Sequence, residues 1–115
     1  MKISEIASLL DAEVLCCNDC ISHEVHSACG SDMMSDVLAY VKDQAVLITG
    51  LVNPQVIRTA EMMDMRCIVF VRDKKPSEEM LELAKESGIV ILATSKRMFE
   101  ACGLLYTGGL APKGV

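Results

Sequence analysis

Residues 45–71 read AVLITGLVNPQVIRTAEMMDMRCIVFV, and two nearly unbroken apolar runs, Ala45 to Ile48 and Cys67 to Val71, enclose an amphipathic stretch. Both runs are rich in β-branched residues and lack the polar alternation of a half-exposed strand, which suits strands covered on both faces of a parallel sheet. Between them, Asn53-Pro54 has the form of a helix start, with Asn as N-cap and Pro at the first helical position. Val56, Ile57, Ala60 and Met63 then share one face. Strand, helix and strand joined by short connections form a βαβ unit, so the chain is read as α/β.

The alternation continues downstream. A second helix is predicted to start near Lys75-Pro76, burying Met80, Leu81 and Ala84, with Gly88 as its C-terminal cap. Ile89 to Ala93 follows as a strand. A last helix after Ser95 is expected to bury Met98, Phe99, Cys102 and Leu105, with Gly103 packed closely against a neighbour. Upstream, Ile3 to Leu10 reads as a helix presenting Ile6, Leu9 and Leu10. Glu13 to Cys16 and Glu24 to Cys29 read as strands, joined as a hairpin through the polar turn Cys17-Asn18-Asp19-Cys20. Ser35 is placed as the N-cap of a helix burying Val37, Leu38 and Val41. The expected architecture is a small single domain over residues 1–109, a largely parallel sheet flanked by helices, with a flexible tail at 110–115.

A chain of 115 residues, 51% hydrophobic, can bury about 65% of its unfolded surface, so its core needs no metal or disulfide staples. The formal charge of -5 argues against nucleic acid, and two Tyr, two Phe and no Trp leave no stacking platform. Glu5 and Asp11 interrupt any signal-peptide core, and the apolar runs are too short to span a bilayer, so a cytoplasmic protein without a membrane partner is expected. The six cysteines are then read as reduced thiols.

The run 75–89, KPSEEMLELAKESGI, resembles the DRTGG domain family, as do Ser31-Asp32-Met33-Met34-Ser35-Asp36-Val37-Leu38 upstream and Phe99-Glu100-Ala101-Cys102-Gly103-Leu104-Leu105-Tyr106 downstream. The similarity extends to about Gly109. The letters that name the family are not kept: Thr49-Gly50-Leu51-Val52-Asn53-Pro54 and Val71-Arg72-Asp73-Lys74-Lys75 stand in their places. The resemblance implies a domain like the N-terminal domain of HPr kinase, of a type found beside CBS pairs or phosphotransacetylase domains. It further implies a regulatory or dimerising module without catalysis of its own.

In an open parallel sheet, ligands bind beyond the carboxyl ends of the strands, where following helices point their N-termini. Here that edge gathers Thr49, Gly50 and Asn53, then Arg72, Lys74 and Lys75, then Thr94 and Ser95. Hydroxyls, helix amides and a small basic cluster suit a small anionic metabolite. The resemblance adds Asp32 and Ser35 to this neighbourhood. The same residue types also serve turns and caps, so a purely structural role stands beside the binding one.

Cys17, Cys20, His23, His26 and Cys29 recur at every third position, and Cys17, Cys20, His23 and Cys29 form a candidate zinc or iron-sulfur set. No second C-x2-C follows, and the spacing fits neither a common zinc finger nor a ferredoxin. No cofactor is otherwise expected. Cys67 and Cys102 are read as small core hydrophobes. No Gly-x-Gly-x-x-Gly or Walker A loop occurs, and Glu78, Glu79, Glu82 and Glu86 read as a solvated helix face, so the reading leans away from an enzyme. Two functions remain: a dimeric ligand-sensing module with a possible protein partner, or a metal or redox accessory protein built on Cys16 to Cys29. Met33, Met34, Met62 and Met65 are the candidates for an adaptable dimer face.

Overall fold

The computed structural model describes residues 1–40 and 44–110, with Tyr40 described by its backbone alone. Its elements run α1 (Ile3–Leu10), β1 (Glu13–Cys16), β2 (Ser27–Gly30), α2 (Met34–Tyr40), β3 (Ala45–Thr49), α3 (Pro54–Met62), β4 (Cys67–Phe70), α4 (Glu78–Ser87), β5 (Val90–Ala93) and α5 (Met98–Thr107). The five strands form one sheet in the order β1-β5-β4-β3-β2. β2 through β5 are parallel and β1 lies antiparallel on β5.

Alternation along each buried strand divides the core in two. Leu47, Ile68, Phe70 and Ile91 pack with Val37, Val56, Ile57, Met80 and Ala84 beneath α2, α3 and α4. Val46, Ile48, Val69, Val71 and Leu92 pack with Ile3, Ile6, Leu10, Ala101 and Leu105 beneath α1 and α5. Truncating a fully buried residue such as Ile68 to alanine costs about 2–5 kcal/mol in sites of this kind. Because α2, α3 and α4 all cover one face, the parallel strands follow one another in sequence order with no reversal. The crevice that a reversal opens between diverging helices is therefore absent from the described residues.

Helix ends follow local chemistry. The Asn53 side chain accepts a hydrogen bond from Gln55 N at 2.8 Å with Pro54 at the first helical position, as its sequence predicts. Gly88 ends α4 in the left-handed region at φ 70°. Helix α4 starts near Lys75-Pro76, as expected, with Ser77 as its cap, the hydroxyl accepting from Met80 N at 3.3 Å. Helix α2 begins at Met34, one residue before Ser35, after a turn in which Ser31 Oγ accepts from Met33 N.

The expected β1–β2 hairpin does not form. Cys17 turns left-handed at φ 60°, Asn18–Cys20 closes a 3-10 turn, and the chain crosses beneath the sheet to its far edge. It is tied there to the start of α1, with Ile3 N donating to His23 O and Val25 N to Met1 O. Strand β2 consequently starts at Ser27 rather than Glu24. Phe99 is exposed rather than buried, Cys102 is half-buried, and open space surrounds Gly103. Leu9 and Leu38 are also exposed, while Ile3 takes the buried position on α1; Val41 lies outside the described residues. Of the four candidate methionines, Met33 and Met62 are exposed but Met34 and Met65 are buried. The expected tail opens on a packed residue, Leu110, and 111–115 lie outside the described residues. Among the described residues, no helix is long and apolar enough to cross a membrane.

Candidate functional site

The carboxyl ends of β3 and β5 are finished by two copies of one device. Thr49 is fully buried, and its hydroxyl donates to Asp32 Oδ1 at 2.9 Å while accepting from Leu51 N at 3.1 Å. Thr94, also buried, donates to Leu10 O at 2.7 Å and accepts from Lys96 N at 3.2 Å. In each case a threonine turns the chain by holding the amide two residues on, and a second element is fastened to the strand end. Asp32 Oδ1 also accepts from Gly50 N at 2.8 Å, so one carboxylate oxygen binds the segment after β2 to the end of β3.

Between these points, Arg72 and Asp73 stand consecutively in the left-handed region, at φ 59° and 58°. Such a conformation costs a non-glycine residue about 1 kcal/mol or more. It is held by bonds to the neighbouring loop, Arg72 N to Lys96 O at 2.8 Å and Asp73 N to Thr94 O at 3.0 Å. The turn carries the Arg72 guanidinium across Gly50, where a Cβ would collide with it. Arg72 and Lys74 are exposed and form no ion pair among the described residues.

The expected site residues thus separate. Thr49, Gly50, Asp32 and Arg72 come together at the end of β3. Thr94 and Asn53 have structural hydrogen bonds of their own, and Lys75 pairs with Glu13 at 2.9 Å. Ser95 and Ser35 are exposed. Reading the residues singly missed the left-handed turn, since neither Arg nor Asp signals it as glycine would. Cavities of about 520 Å3 and 250 Å3 lie elsewhere, the first along α1 at Met1, Ser4, Ser8 and Gly108, the second at His23, Glu24, Gln44 and Arg66.

The candidate metal set does not converge. Cys17 follows β1 at one edge of the sheet and Cys29 lies in β2 at the other, four strand spacings or roughly 19 Å away. Among the described residues no three His, Cys, Asp or Glu are placed to hold a metal ion. Burial, reinforced by the neighbouring Cys16 thiol, pushes the Cys17 thiol up to about 11. Burial likewise raises Cys20, Cys29, Cys67 and Cys102. A redox-active thiol requires the opposite shift. Cys16 Sγ donates to Ile89 O at 3.4 Å and Cys17 Sγ to Ala84 O at 3.9 Å, so both thiols pack against the end of α4.

A crystal structure of the CBS and DRTGG domains of the regulatory region of Clostridium perfringens pyrophosphatase, complexed with the activator diadenosine tetraphosphate, has a similar fold. The TM-score is 0.74 at 18% identity, over 90% of this chain and 45% of that one, so the chain spans less than half of that structure. No curated protein sequence matches the chain. The model of the DRTGG domain matches residues 5–108, nearly all of the described fold, and the chain belongs to the DRTGG domain family.

Proposed function

We propose that this domain is a non-catalytic regulatory module, acting as a homodimer, that binds a small phosphate-bearing metabolite at the carboxyl ends of β3 and β4. The observation that carries this reading is the strained turn at Arg72 and Asp73, which holds a guanidinium with no ion pair among the described residues over the end of β3, where Gly50 leaves room for it. Strain of this kind is retained where a side chain must be presented at a fixed place. In a chain of charge -5, Arg72 and Lys74 supply two exposed cations that an anion can pair with, set close to the carboxylates of Asp32 and Asp73. The fold shared with a regulatory region that carries a nucleotide activator supports phosphate as the recognised group.

The test is a titration of isotopically labelled protein with ATP, diadenosine tetraphosphate and acetyl phosphate, following backbone amide shifts. Saturable shifts at residues 49–53, 72–75 and 94–95, lost in Arg72→Ala/Lys74→Ala, are expected. No shift with any of the three, or shifts confined to the cavity at His23 and Arg66, would overturn the proposal.

A further inference from the structure

Helix α5 buries Ala101 and Leu105 against the sheet, with Met98 packed half-buried beside them, and its outer side carries a second stripe that no part of the described chain covers. Phe99 is 92% exposed and Tyr106 is 62% exposed, unusual values for the larger aromatic side chains in a chain with only four. The two rings are seven positions apart, two helical turns, and therefore lie on one side of the helix. Midway between them fall Cys102 and Gly103, and a Cβ at residue 103 would meet nothing within 4 Å. The stripe is symmetric about its own centre: large ring, small residues, large ring.

We infer that α5 is the homodimer contact, crossing α5 of a second copy in antiparallel fashion about a two-fold axis at residues 102 and 103. This deepens the dimeric reading above and rests on it. A two-fold interface must match itself, each residue facing the one equidistant from the axis. With the axis between 102 and 103, Phe99 faces the Tyr106 of the other copy, and the small residues at the centre let the helices approach.

Charge supports a second copy as the occupant. Arg97 caps the start of α5 and has no ion pair among the described residues, while the last turn of α5 carries no basic residue to offset its carbonyls. The same axis sets Arg97 of one copy against Gly108 of the other, where a cation meets the negative end of a helix. Glu100, the acid of the first turn, is held by Lys96 at 3.8 Å. Beside Tyr106, a cavity of about 150 Å3 bounded by Ala28, Gly30, Ile48, Cys102 and Leu105 offers an apolar seat for the incoming ring.

Two aromatic side chains bury about 300–500 Å2 per copy. That falls below the roughly 800 Å2 per partner of a standard stable interface, so the dimer is expected to be weak and concentration-dependent.

Sedimentation equilibrium across the micromolar to millimolar range tests this on the whole chain. The wild type should dimerise reversibly, and Phe99→Glu and Gly103→Gln should each weaken the dimer at least tenfold while far-UV circular dichroism stays unchanged. Met62→Glu, at a 73% exposed position on α3, should leave it intact. Phe99→Glu/Tyr106→Arg should recover association, because the axis brings the two new charges together across the interface. A dimer that survives both Phe99→Glu and Gly103→Gln overturns the α5 contact while leaving dimerisation standing. A wild type that stays monomeric throughout overturns both, and leaves the stripe to a different protein.

Discussion

Asp32 and Thr49 are joined by a hydrogen bond of 2.9 Å that fastens the segment after β2 to the end of β3, and the same carboxylate oxygen takes the amide of Gly50 at 2.8 Å. Removing the carboxylate leaves a fully buried hydroxyl and a strand-end amide without their acceptor. Asp32→Ala should therefore lower stability by about 1–3 kcal/mol in urea unfolding. Asp32→Asn keeps an acceptor oxygen and should recover most of that loss. Because it also removes a negative charge beside Arg72, it should tighten phosphate binding several-fold in the amide-shift titration. Equal losses for the two variants would show that the hydrogen bonds carry none of the stability.

Gly50→Ala separates the site from the fold. The added methyl would meet only the far end of the Arg72 side chain, which can swing away into solvent. Stability should change by no more than about 0.5 kcal/mol. Phosphate affinity should nevertheless fall as far as it does in Arg72→Ala, since both variants empty the same place. Wild-type affinity in Gly50→Ala would mean that the guanidinium does not bind from its position over residue 50.

Strand and helix positions from 45 onward were legible because packing on both faces of a parallel sheet demands continuous apolar runs, as at Cys67–Phe70, and because Asn53 and Gly88 have local cap chemistry. The N-terminal third was less so. Whether β1 pairs with β2 or with β5 depends on contacts more than seventy residues apart, such as Glu13 with Ala93, which leave no local trace. For α5, two apolar stripes share one helix: Met98, Ala101 and Leu105 at one spacing, Phe99 and Tyr106 at another. Apolarity cannot say which one faces the sheet. The strand-end threonines stand out in the sequence as candidate site residues, but their hydroxyls are committed to the turns they close. The arginine that is presented outward depends on a backbone conformation that its sequence does not announce.

Asp73 gives a direct measure of the strain in that turn. It stands at φ 58° with its amide bonded to Thr94 O. Asp73→Gly should stabilise the domain by about 0.5–1 kcal/mol, the relief of the left-handed conformation less the greater freedom of glycine in the unfolded chain. Asp73→Val, β-branched and poorly suited to that region, should destabilise it by a larger amount. Chemical denaturation of the pair against wild type provides the comparison, and equal stabilities would place the strain elsewhere.

The thiols set an alkaline limit on stability. An ordinary cysteine ionises near 9, whereas burial holds Cys17 at about 11 and Cys67, fully buried in β4, higher still. Below pH 9 both thiols are neutral in the folded and unfolded chain, and their contribution to stability is fully present. As pH rises past 9, the unfolded chain loses these protons first and unfolding becomes steadily more favourable. For Cys17 the loss levels off near pH 11, where the folded form ionises too; for Cys67 it continues beyond. Melting temperatures between pH 8 and pH 10.5 should therefore fall more steeply in wild type than in Cys67→Ala, whatever their difference at pH 8. Every other group is the same in both proteins and cancels in the comparison, so parallel slopes would contradict a buried neutral thiol at position 67.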